Sequence, residues 1–157
     1  MEQEGKTMAK VVVIGSINMD FVTYMDAIPQ RGETITGAKF QSFPGGKGAN
    51  QAVAAARAGA RVEMYGCVGD DSIGQECLQN LMATGIDTHA VVVKKEEHSG
   101  IAQIMVDVRG ENIIAIAPGA NFLFNPDDIV VTERDADERV IALFQNEIPQ
   151  ATTEAVI

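Results

Sequence analysis

Lys10-Val11-Val12-Val13-Ile14-Gly15 is the stretch that decides the fold. A continuous apolar run of this length, closed by glycine, has no polar face and reads as a strand buried on both sides, the kind found in parallel sheets. Outward from it, Arg61 to Val68 and Val140 to Gln145 read as further core strands, and Ala90 to Val93 as another. Gly48 to Ala58 (GANQAVAAARA) is dense in helix formers and Gly59 supplies a stop. Asp71 to Thr84 puts Ile73, Cys77, Leu78, Leu81 and Met82 on one face at helical spacing, with Gly85 ending it. Asn125-Pro126 has the N-cap and first-turn residues of a third helix. Strands alternating with helices predict an α/β fold, a mostly parallel sheet with helices on both faces.

Other segments do not fit that layer. Phe21 to Asp26 and Thr34 to Phe43 flank the break Pro29-Gln30-Arg31-Gly32, while Ile101 to Val108 and Asn112 to Ala117 flank the turn Arg109-Gly110-Glu111. Their β-branched and aromatic content predicts a small separate antiparallel sheet, near 18–43 with 100–117 as its second part. Residues 1–9 read as a flexible polar start before a domain at 10–157. After Glu147 and Pro149 the chain begins a helix at Ala151 to Ile157. A parallel crossover needs a dozen or more residues, so the sheet is expected to be incomplete at the C-terminus and part of a longer chain.

Composition narrows the function classes. Lys+Arg number 12 and Asp+Glu 22, giving a net charge of −10. That balance disfavours nucleic acid and anionic membrane as partners. No apolar run approaches a membrane span, and a cytoplasmic domain is expected. Cys67 and Cys77 read as small buried hydrophobes, and His89 and His98 as surface residues rather than metal ligands. Asp70-Asp71 fits a helix-entry cap, and Lys94-Lys95-Glu96-Glu97 a solvated turn.

Two stretches could carry chemistry. Pro44-Gly45-Gly46-Lys47-Gly48-Ala49-Asn50 is glycine-rich and opens into a helix, where backbone N–H groups, Lys47 and Asn50 offer donors. It is not a nucleotide P-loop, because Lys47 is followed by Gly48 rather than Ser or Thr; a plain turn before a helix stays open. Gly15-Ser16-Ile17-Asn18-Met19-Asp20 sits after the first strand, where open α/β sheets bind ligands, and offers an amide and a carboxylate. A carboxylate accepts two hydrogen bonds at once, which suits neighbouring hydroxyls; an Asx turn satisfying backbone stays open too. Together the stretches could surround a neutral polyol, with Glu147 as a further acceptor.

These residues, with Gly32-Glu33-Thr34, Val68-Gly69-Asp70-Asp71-Ser72-Ile73-Gly74 and Pro118-Gly119-Ala120-Asn121, resemble the N-terminal half of the ribokinase branch of the PfkB carbohydrate kinase family. The resemblance runs from Lys10 onward. It implies a ribokinase-like fold whose small sheet is a lid, and lid-mediated homodimers. It also implies ATP-dependent phosphorylation of D-ribose at O5, with Mg²⁺ and a monovalent cation such as K⁺. The family's sugar-binding positions fall on Asn18, Asp20, Gly45, Gly46, Lys47, Asn50 and Glu147. Its catalytic base and the main ATP and cation residues lie in a second half that this sequence does not contain, so the chain alone is expected to be inactive. A sugar-binding or dimerisation module without chemistry, or a kinase for another sugar or nucleoside, are the competing readings.

Overall fold

The computed structural model describes residues 10–130 and 139–156. The predicted flexible start lies outside the described residues. In chain order the elements are β1 (Lys10–Ile14), β2 (Asn18–Tyr24), β3 (Lys39–Gly45), α1 (Lys47–Arg57), β4 (Arg61–Gly69), α2 (Ser72–Ala83), β5 (Val91–Lys94), β6 (Gly100–Val106), β7 (Asn112–Ala117), β8 (Val140–Phe144) and α3 (Gln150–Glu154). The main sheet is fully parallel, in the order β5-β4-β1-β8.

Burial follows from position in that sheet. Every residue of β4 except Arg61 is buried, as expected of an inner strand covered on both faces. On one face Val13, Val62, Met64 and Val68 pack with Ala52 of α1 and with Cys77 and Leu81 of α2. On the other, Ile14, Tyr65 and Cys67 meet Ala120, Phe124 and Ile148. That second cover comes largely from 3-10 turns and loops rather than helices. β8 forms an edge and leaves Ile141 exposed.

The second sheet has the order β3-β2-β6-β7 and is mixed rather than purely antiparallel. β2–β3 and β6–β7 are antiparallel pairs, but β2 and β6 run parallel. The reason is topological: β2 follows the carboxyl end of β1 and β6 follows that of β5, so both leave the parallel sheet in the same direction. β3 starts at Lys39; residues 34–38 are loop, with Gly37 at φ +83°.

Two further expectations are corrected. Asn125-Pro126 opens a 3-10 turn, Pro126–Asp128, and Ile129 is already extended. Asp128 is held by both oxygens to Lys94 Nζ (2.8 and 2.7 Å) and also accepts from the Asn125 N–H (2.8 Å). Lys94 is therefore the half-buried end of β5 and not part of a solvated turn. The tie to the sheet turns the chain where local propensity favours continuing a helix.

Candidate functional site

Gly15, Ser16 and Ile17 carry the chain from the carboxyl end of β1 into β2, and the glycine loop lies against them. Gly46 has φ +91°, and a Cβ there would sit 2.8 Å from both Asn18 N and Ser16 O. Only glycine permits that backbone approach. Beside it, a Cβ on Gly45 would meet Asp20 Oδ2 at 2.4 Å, so the Asp20 carboxyl rests directly on the loop.

The first turn of α1 is not open to a ligand. Lys47 N–H donates to Glu147 Oε2 (3.3 Å), Gly48 N–H to Ser16 Oγ (3.3 Å) and Ala49 N–H to Ser16 O (3.0 Å). Buried N–H groups need partners, and a carboxylate suits the positive end of a helix. Glu147 thus caps α1 from the end of β8. It also accepts from Ser16 Oγ (2.7 Å) and pairs with Lys47 Nζ. Burial alone would push its carboxyl up, but the bonds from Lys47 and Ser16 outweigh that and hold it below the ordinary range. The expected spare acceptor is largely committed to protein donors, since three of its lone-pair positions are taken.

Asn18 and Asp20 lie two apart on β2, not in an Asx turn, and therefore point to the same side of the sheet. Asn18 is buried and Asp20 half-buried. Burial, then the negative charge of Glu147, push the Asp20 carboxyl above its usual value. Lys47 is exposed. Asn50 is also exposed, and its side chain makes no hydrogen bond among the described residues. A cleft of about 440 Å³ opens beside this group, lined by Asn18, Ile116, Pro118, Asn121, Phe122, Asn146 and Glu147. Asn18 and Glu147 line it directly. Asp20, Gly45, Gly46 and Lys47 adjoin it through those two, and Asn50 follows Lys47 in the first turn of α1.

Two residues gain roles that composition and spacing did not assign. Ser16 joins Glu147 to the helix start. Asn121 is buried among Ile17, Asn18 and Pro118 and bonds to all three. The signal available in sequence was Asn121's place in Pro118-Gly119-Ala120-Asn121, which marks the residue but not its partners.

Among the described residues no group of His, Cys, Asp or Glu could hold a metal ion. With the N–H groups at the start of α1 occupied, these residues fit neither Mg²⁺ nor nucleotide phosphates. Cys67 and Cys77 are buried, and burial pushes both thiols up to about 12, which leaves them inert. His89 contacts Asp87 and Glu63, and His98 Nδ1 faces Ser99 O. No described helix is long and apolar enough to cross a membrane.

Comparison with known proteins bears on the family and the fold. The pfkB family carbohydrate kinase model matches residues 8–157. A ribokinase of Bacillus subtilis (strain 168) is 43% identical over 149 residues, covering 95% of this chain and 50% of its own length. A deoxyribokinase of Salmonella typhi is 38% identical over 142 residues, covering 90% and 46%. The structure of Arabidopsis thaliana ribokinase complexed with ribose and ATP matches with a TM-score of 0.76 at 31% identity, covering 96% of this chain and 50% of that one. The chain spans about half the length of the curated relatives it matches. With the family model matching nearly all of it and relatives this similar, the chain belongs to the pfkB family of carbohydrate kinases.

Proposed function

We propose that the cleft binds D-ribose as the acceptor for ATP-dependent phosphorylation at O5, and that this chain supplies the sugar-binding half of that kinase. The observation that carries the reading is the placement of Asn18 and Asp20 on one face of β2, against Gly45 and beside the Lys47–Glu147 pair. In this reading ionised Asp20 accepts from two adjacent sugar hydroxyls, while Asn18, Lys47 and Asn50 donate. Glu147 works chiefly by holding Lys47 and the start of α1 in place. The second sheet covers the sugar, keeping out water that would compete as acceptor.

In this reading ATP supplies the phosphoryl group when bound, and the base and the main Mg²⁺ and K⁺ positions lie outside these 157 residues. The 157-residue chain alone therefore turns over no ribose. Steady ATP-dependent release of ribose phosphate by the purified chain, above a blank, contradicts that. Lid pairing in a homodimer fits the kinase reading and a non-catalytic module alike, and one observation supports it: β7 is exposed on both faces, with Ile113, Ile114 and Ile116 open to solvent.

Titration calorimetry tests the acceptor. Ribose is expected to bind, and 2-deoxyribose at least roughly tenfold more weakly, because a site built for two hydroxyls leaves a buried acceptor unpaired when one is missing. Asp20→Ala is expected to lower ribose affinity by roughly a hundredfold. Equal affinities for ribose, 2-deoxyribose and a nucleoside, or an unchanged Asp20→Ala variant, contradict the proposal.

A further inference from the structure

We propose that Asn121 is a positioning residue that fixes the polarity of Asn18, so that Asn18 presents a hydrogen-bond donor, and not an acceptor, to the cleft. Its consequence for sugar recognition rests on the reading above; its geometry does not. Asn121 is buried, at 1% exposure, in the 3-10 turn Gly119–Leu123. Its Oδ1 accepts from the Ile17 backbone N–H at 2.9 Å. That backbone group can only donate, so this end of the Asn121 amide has to be oxygen. The other end is then nitrogen, and it donates to Asn18 Oδ1 (2.8 Å), with Ile17 O (3.1 Å) and Pro118 O (3.2 Å) sharing its two hydrogens.

With Oδ1 taken, the free end of Asn18 is Nδ2, which has no partner among the described residues, while Asn18 itself lines the cleft. β6 packs closely against both side chains, while the polarity itself is set by the hydrogen bonds from Ile17 and Asn121. A Cβ on Gly100 would lie 2.2 Å from both Asn18 Oδ1 and Asn121 Nδ2, so the two amides fill the space against that strand. The cleft therefore selects, at this point, a ligand oxygen that accepts: a hydroxyl lone pair or a sugar ring oxygen.

One test needs no sugar. In isotope-labelled protein, the side-chain amide protons of Asn121 are expected to exchange slowly with water and those of Asn18 quickly; the opposite pattern overturns the proposal. The other uses ribose and the variants Asn18→Asp and Asn121→Ala. Asn18→Asp keeps one oxygen to accept from Asn121 and turns its second toward the cleft. It should melt near the wild-type temperature yet bind ribose roughly tenfold more weakly or worse; wild-type affinity overturns the proposal. Asn121→Ala lets Asn18 turn over, and its Asn18 protons should lose their distinct exchange behaviour. Should that variant not fold, the wild-type exchange pattern and Asn18→Asp still decide. A wild-type protein with the expected exchange pattern and no ribose binding supports the orientation and refutes the sugar reading.

Discussion

Asp20 is held in an environment that resists its charge, and that gives the site a pH signature. Burial and the nearby Glu147 carboxylate raise its folded value above the ordinary range, while two accepted sugar hydroxyls require the ionised form. Ribose affinity should therefore fall as pH falls through that raised value, beginning above the usual aspartate range of about 3.9. Titration calorimetry across the acid range checks this, and Asp20→Asn should flatten the profile at low affinity. Glu147 behaves oppositely. Its folded value is lowered, so its contribution to stability is present above the usual glutamate value and disappears as pH falls through the folded one. Gly46 is constrained by backbone alone: at φ +91°, with Asn18 N and Ser16 O 2.8 Å from any Cβ, Gly46→Ala should destabilise by about 1–3 kcal/mol in denaturant melts.

Among the elements, the helix starts show how much of the structure could be read from local sequence. Asp71 caps α2 as its type and position suggest, accepting from the Gly74 N–H at 2.8 Å. It also takes the Ser99 hydroxyl (2.6 Å) and N–H (2.9 Å), tying the helix to the root of β6. Asp71→Ala should cost about 1–2 kcal/mol, read as a lowered melting temperature. The cap of α1 was not legible, because Gly46 offers no side chain and the work falls to Ser16 and Glu147, which are 131 residues apart. β1 and β4 were legible because strands covered on both faces are mostly apolar, the buried Glu63 of β4 being paired with Lys10. The pairing of β2 with β6 was not: alternation reports which face is buried, not the direction of the neighbouring strand. The predicted helix at Asn125 failed for a similar reason, since the Lys94–Asp128 pair that turns the chain joins distant segments.

At the scale of the molecule, a parallel sheet with its core carries a smaller sheet whose strands β2 and β6 leave from the carboxyl ends of β1 and β5. The face of the smaller sheet that bears Asn18 and Asp20 also presents Phe43, Ile114 and Ile116, all exposed. If this surface joins two lids, light scattering after size exclusion should give a dimer mass for the wild type and a monomer for Ile114→Glu; a monomeric wild type contradicts the pairing. The two motif-bearing stretches of the site were legible because each is continuous in sequence. The Asn18–Asn121 contact, spanning 103 residues, could be found only once the chain was folded. The most direct measurement of the central claim is a chemical-shift map of the isotope-labelled protein titrated with ribose. The account predicts saturable shifts clustered at Asn18, Asp20, the Gly45–Asn50 stretch, Glu147 and the cleft wall from Ile116 to Phe122; shifts clustered elsewhere, or none at saturating sugar, contradict it.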